Sequence, residues 1–249
     1  MSQFSDWPLV FLNEAKYSRP MTSANGTLFI VGTPIGNMED ITLRALRVLH
    51  EADLIAAEDT RHTGLLLARH GLKKPLISYH EFNEAKRTAE LLRELQQGRQ
   101  IALVSDAGMP TLSDPGQRLI RAAIDARIAV EVVPGVSAVT AALAGSGYGV
   151  EEGVLFYGFL PHKSGQRRNA LARFAPLPYT LVFFESPYRL LKALQDMREL
   201  LGNRNVVVAR ELTKKFEEFL RGDIESVLKK LENRTIKGEI TLVVQGRQK

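Results

Sequence analysis

Residues 105–116, Ser-Asp-Ala-Gly-Met-Pro-Thr-Leu-Ser-Asp-Pro-Gly, gather more chemically useful groups than any other stretch of the chain. They directly follow the apolar run Ile101-Ala102-Leu103-Val104, so carboxylates and free backbone donors are delivered to the carboxyl end of a predicted buried strand. In an open α/β sheet, ligands bind outside that end. Asp114-Pro115 reads as a helix N-cap followed by proline at the first helical position, with a helix from Gln117 turning its positive end back on the loop. A plain strand-to-helix link takes about two to six residues, and this one is twice as long, so a binding role is expected.

A second concentration is Glu58-Asp59-Thr60-Arg61-His62, again after a short apolar run. Capping a helix needs one of these groups, Asp59 or Thr60. Two carboxylates, a guanidinium and an imidazole beyond that point to a substrate or catalytic role. A third feature is residues 153–184, which hold no Asp or Glu but include His162, Lys163, Arg167, Arg168 and Arg173. Cations without local counter-charge behind the aromatic run Phe156-Tyr157-Gly158-Phe159 predict a surface that contacts phosphates. Gly32-Thr33-Pro34-Ile35-Gly36-Asn37 has neither the Gly-x-Gly-x-x-Gly nor the Gly-Lys-Ser/Thr pattern, so no pyrophosphate site is assigned to it.

The composition narrows the chemistry further. The 249 residues are 45% hydrophobic and 24% charged, with a net charge of +5, an excess that suits an anionic partner. Absence of cysteine excludes disulfides, thiolate nucleophiles and thiolate metal sites. The five histidines show no metal-ligand spacing, so no metal is expected. No apolar run reaches membrane-spanning length, and residues 1–25 lack the pattern of a signal peptide. They are read as a loosely held extension of a cytoplasmic protein.

Positioning these groups requires alternating strands and helices. Strands are expected at 28–31, 54–57, 76–79, 101–104 and 130–133, with helices after Asp40 and over 65–70, 84–97, 117–126 and 138–145. Gly145-Ser146-Gly147-Tyr148-Gly149 is the expected hinge. Strands at 155–157, 180–184, 206–209 and 240–244 and helices at 166–174, 187–201 and 224–231 follow, with Ser186-Pro187 read as a second N-cap and proline pair. The fold class is therefore two α/β domains with mainly parallel or mixed sheets, over 26–146 and 147–249, and a ligand cleft between them.

Seven motifs in order carry a family resemblance: Thr33-Pro34-Ile35-Gly36-Asn37, Ala57-Glu58-Asp59-Thr60-Arg61-His62-Thr63, Ser105-Asp106-Ala107-Gly108 with Ser113-Asp114-Pro115-Gly116, Pro134-Gly135-Val136-Ser137-Ala138, Phe184-Glu185-Ser186-Pro187, Ala209-Arg210-Glu211-Leu212-Thr213-Lys214 and Lys237-Gly238-Glu239. Together they resemble the tetrapyrrole methylase superfamily, specifically its branch of small-subunit ribosomal RNA methyltransferases. The resemblance implies a homodimer that binds S-adenosyl-L-methionine between its two domains and methylates the 2′-oxygen of a decoding-centre cytidine in 16S rRNA of the small ribosomal subunit. It places the cofactor against Pro34, Ser105, Asp106, Ala107, Ser137, Ala138, Phe184, Leu212, Ile240 and Thr241. A ribose hydroxyl is a poor nucleophile and needs a proton acceptor, for which Asp59, Glu185 and Glu58 are the candidates, with Lys214 or Arg61 stabilising charge. Arg61, Lys163, Arg167 and Arg168 are the expected RNA contacts. A tetrapyrrole acceptor, or a non-catalytic ribosome-binding role, stays open as an alternative.

Overall fold

Strands buried on both faces need helices on both sides, and parallel neighbours need crossovers long enough to hold them. The chain meets both demands in a computed structural model that describes residues 25–247. The expected N-terminal extension, except for Asn25, falls outside the described residues. β1 (Thr27–Val31), β2 (Leu54–Ala57), β3 (Leu76–Ser78), β4 (Ile101–Val104) and β5 (Ala129–Val133) form a wholly parallel sheet in the order β3-β2-β4-β1-β5. Residue parity sorts its two faces. Leu28, Ile30, Ile101 and Leu103 pack under α3 (Glu84–Gln96) and α4 (Gln117–Asp125), whereas Val31, Ala102 and Val104 pack under α1 (Leu43–Glu51) and α2 (Thr60–Arg69). β4 is inserted between β1 and β2, so the loops after all three strands converge at one edge.

The second sheet joins β6 (Val154–Phe159), β7 (Thr180–Glu185), β8 (Asn205–Arg210), β9 (Glu218–Asp223) and β10 (Ile240–Val244) in the order β6-β7-β10-β8-β9. Only β6 and β7 run parallel. One face carries Leu181, Phe183, Val206, Val208, Ile240, Leu242 and Val244 under α6 (Ser164–Phe174), α7 (Leu190–Leu201) and α8 (Ile224–Leu231). The other face, with Val182, Val207, Ala209 and Val243, packs against Ile35, Val136 and the apolar side of α5 (Ala138–Ser146). Thus α5 covers the second sheet, and its last two residues, Gly145 and Ser146, are the first two of the expected Gly-rich hinge. Its small residues let the two α/β halves approach closely, and burial of this seam at about 25 cal/mol per Å² holds them in register.

Several local expectations change. α4 is not capped by Asp114: the residue before it is Gly116 at φ 134°, where a Cβ would lie 2.8 Å from Leu103 Cδ2. Only glycine fits that approach, which frees the Asp114 side chain to turn elsewhere. α7 starts at Leu190 rather than after Ser186, because Ser186-Pro187 forms a turn closed by Arg189 N donating to Ser186 O at 3.0 Å. α2 starts earlier than expected, at Thr60, with Asp59 Oδ1 accepting from Arg61 N. β9 was not anticipated, since its sequence Glu-Phe-Leu-Arg-Gly-Asp has little strand character and its pairing with β8 supplies the order.

Candidate active site

Three loops meet at the carboxyl edge of the parallel sheet because glycine lets their backbones touch. A Cβ on Gly32, after β1, would lie 2.7 Å from the amide of Gly135, after β5, and from Met109 Sδ in the 105–116 loop. Thr33 and Gly108 exchange both backbone hydrogen bonds, at 2.9 and 3.1 Å, and Thr33 Oγ1 donates to Ser105 O. Pro34 and Ser105 are buried in this junction, Asp106 is half-buried and Ala107 is exposed. Ser137, before α5, makes no side-chain capping bond and, like Ala138, is half-buried at the helix's positive end.

A carboxylate group fills the space beside these loops. Asp106 Oδ1 accepts from Asp59 N at 2.9 Å, and Glu58 Oε2 accepts from Asp106 N at 3.3 Å, so the ends of β2 and β4 hold each other. Burial pushes the Glu58 carboxyl above its ordinary range, and the nearby Asp106 charge adds to the rise. Asp114 is pushed up to about 7 by burial and by the Glu58 and Asp106 charges, against a bond from the Ser105 hydroxyl. Asp59 goes the opposite way: the Arg61 guanidinium, bonded to it at 2.6 and 3.1 Å, holds its carboxyl well below the usual range. Glu58 thus holds a proton more readily than Asp59, which forms an ion pair with Arg61.

Strand parity decides what the second sheet offers. Phe184 lies on the cleft face with Val182, its ring 5.0 Å from Phe156 and 5.6 Å from Phe159. Thr241 pairs with Phe184 and Ala209 on the same face, and Leu212 packs there too. Ile240 points its side chain the other way, into the core beneath α7 and α8, which leaves its backbone as the part that can lie against the cofactor. By the same parity, Glu185 is corrected as a candidate proton acceptor. It follows Phe183 onto the helix-covered face, its side chain fully buried, bound by Arg189 at 2.5 Å and by Ser186 N at 2.7 Å. A carboxylate on that face is out of reach of a hydroxyl in the cleft, and it fixes the turn between β7 and α7 instead.

Lys214 reaches across the two halves. Its stem lies against Gly36, where a Cβ would be 2.4 Å from Lys214 Cγ, and the neighbouring Thr213 Oγ1 accepts from Asn37 N at 3.1 Å. Its ammonium sits 2.9 Å from Glu211 Oε1 and 3.2 Å from Glu239 Oε2. Burial disfavours its charge, but the two carboxylates outweigh burial and hold it above the ordinary lysine range, so Lys214 is a fixed cation rather than a base. Sequence reasoning missed Glu211 and Thr213, non-glycine residues at φ 52° and 64°. Such strain concentrates at functional turns, but no residue type there announces it.

The acid-free stretch is not the cationic surface expected. Arg167 is buried, donating from Nε to Asp196 Oδ2 at 2.7 Å, and Arg168 contacts Asp196 at 2.9 Å and Glu199 at 2.6 Å. The counter-charges come from α7, so Arg167 is removed from the RNA surface and Arg168 is largely neutralised. Lys163 remains exposed, and Arg61 is 89% exposed though paired to Asp59.

Two α/β halves, one built on a parallel sheet and one on a mixed sheet and joined through an apolar seam, define the fold class. Residues 27–228 match the family model of the Tetrapyrrole (Corrin/Porphyrin) Methylases, and the chain belongs to that family of methyltransferases. Its relatives include proteins named Ribosomal RNA small subunit methyltransferase I from Halalkalibacterium halodurans, 52% identical over 89% of this chain and 76% of the relative, and from Thermotoga maritima, 48% identical over 90% and 100%. Among solved structures, the fold is similar to a uroporphyrin-III C-methyltransferase from Thermus thermophilus crystallised with S-adenosyl homocysteine, with TM-score 0.61, 20% identity and coverage of 88% and 97%.

Proposed function

We infer that the chain is an S-adenosyl-L-methionine-dependent methyltransferase of small-subunit ribosomal RNA. The observation that carries this reading is the 48% identity to the Thermotoga maritima protein along that protein's whole length, which takes in both sheets and every strand-end loop of the site. The acid-free segment does not carry it, because Arg167 and Arg168 are already paired.

The residues of the cleft fit the cofactor. The Phe184 ring, packed edge-to-face against Phe156, offers an apolar surface for adenine, Asp106 retains one carboxylate oxygen beyond its bond to Asp59, and the glycine junction brings backbone close without side chains in the way. S-adenosylmethionine, when bound, supplies a methyl group on a positively charged sulfur. The protein's task is then alignment of the acceptor oxygen for in-line displacement. Glu58 takes the proton from the attacking hydroxyl, its raised carboxyl range matching that role better than Asp59. Lys214 and Arg61 place fixed positive charge near the cleft. The finer reading is 2′-O-methylation of a decoding-centre cytidine in 16S rRNA by a cytoplasmic homodimer; among the described residues no helix is long and apolar enough to cross a membrane.

The experiment is transfer of tritium from methyl-labelled S-adenosylmethionine to small ribosomal subunits that lack their modifications, beside naked rRNA and a precorrin-like tetrapyrrole, followed by nuclease mapping. Label on a cytidine ribose is the expected result. Label on the tetrapyrrole alone would overturn the RNA reading, and cofactor binding with no acceptor labelled would overturn the catalytic one.

A further inference from the structure

Beside the carboxylate group, a groove of about 970 Å³ runs from Glu58 outward between the loop after β3 and the start of α4. Four of its lining residues are acids, Glu58 and Asp114 at the inner end together with Glu81 and Glu84. One wall carries His80 and Phe82, and the rim carries Arg118 and Arg121. Phe82 is 93% exposed, an unusual place for a phenylalanine. It is edge-on to His80 at 6.1 Å, and His80 is anchored through Nε2 to Asn83 at 3.0 Å, while its buried Nδ1 has no partner. The aromatic is therefore displayed on a fixed loop, and no other group among the described residues covers it. Arg118 and Arg121 meet Glu84 and Asp125 in surface ion pairs at 3.3 and 3.1 Å. Both guanidiniums are more exposed than that of Arg168, and each meets one acid rather than two, so a phosphate can displace the partner.

We propose that this groove holds one unstacked nucleotide of single-stranded RNA, its base against Phe82, its phosphate at Arg118 and Arg121, and its ribose turned inward to Glu58. The proposal rests on the RNA methyltransferase reading and extends it to the acceptor's own subsite. A stack on an exposed ring is how proteins hold single-stranded bases, and a base held there leaves its own ribose free to turn toward Glu58. The acidic inner end does not repel it. Asp114 is uncharged in a large part of the molecules at neutral pH, and carboxyl groups there can take ribose hydroxyls and base amines as partners.

The test compares Phe82→Ala, Phe82→Leu, Phe82→Tyr and Arg118→Ala with the unaltered chain. Anisotropy reads binding to a fluorescent single-stranded RNA 12-mer, calorimetry reads S-adenosylmethionine binding, and single-turnover assays read methyl transfer to unmodified small subunits. Phe82→Ala and Phe82→Leu should weaken RNA binding by roughly 5- to 150-fold, with cofactor affinity unchanged and Phe82→Tyr restoring it. Arg118→Ala should weaken binding and flatten its salt dependence by about one phosphate contact. Methyl transfer by the unaltered chain with all four variants indistinguishable from it would overturn the groove and leave the function standing. RNA binding that depends on Phe82 with no methyl transfer to any RNA would support the groove and sink the enzymatic reading.

Discussion

Replacing Asp114 by asparagine removes a charge that the fold resists. The carboxyl titrates near 7 in the folded protein and near 3.9 in an unfolded chain. A carboxyl whose folded pKa is raised binds its proton more tightly in the folded state, so it makes folding progressively less favourable as pH rises from about 4 to about 7, and the loss is then constant. Three pH units at about 1.4 kcal/mol each set a ceiling of about 4 kcal/mol. The side chain borders an open groove, and water there screens the repulsion from Glu58 and Asp106, which brings the figure down to about 1–2 kcal/mol. Asparagine keeps the shape without the charge. Urea unfolding of the ligand-free protein should therefore show Asp114→Asn more stable than the parent by about 1–2 kcal/mol at pH 8, with the gap closing toward pH 4. Comparing the two proteins at each pH cancels the titration of every other carboxylate. A gap that is the same at both pH values, or a variant less stable at pH 8, would refute the assignment of a raised carboxyl in the groove wall.

Other perturbations test the remaining contacts. Asp196→Ala leaves Arg167 buried without its partner and should cost about 3–5 kcal/mol in denaturant unfolding, whereas Arg168→Ala should leave the RNA-binding salt slope unchanged. Gly32→Ala places a methyl group 2.7 Å from the Gly135 amide, so calorimetry should find cofactor affinity lowered by at least about tenfold, a loss of about 1.4 kcal/mol or more. Asp106→Ala should also weaken cofactor binding while circular dichroism reports an intact fold. Arg61→Ala releases Asp59 from its guanidinium, and NMR titration should show that carboxyl moving up toward its ordinary range, held short of it by the backbone amides that still cap onto it. An Asp59 titration unmoved by the loss of Arg61 would show that the pair seen here does not govern it.

The sequence by itself determined the alternation of strands and helices, the parallel character of the first sheet, and the polar loops at its carboxyl edge. Those features are local: an all-apolar run of four such as 101–104, bounded by polar and glycine-rich loops, reads as a strand covered on both faces. Tertiary structure decided which side chains meet. Parity along β7 and β10 sends Phe184 and Thr241 to the cleft but Glu185 and Ile240 to the opposite core, and neighbouring letters in a motif carry no sign of that division. Arg167 and Arg168 look uncompensated over 32 residues of chain, yet their acids lie 28 to 31 residues away on α7. Charge acts through space, so a run free of acid in sequence need not be free of acid in the fold. The same applies to Asp114, a cap in the local pattern and a groove wall in the structure, because the close approach of Leu103 reserves the helix start for Gly116.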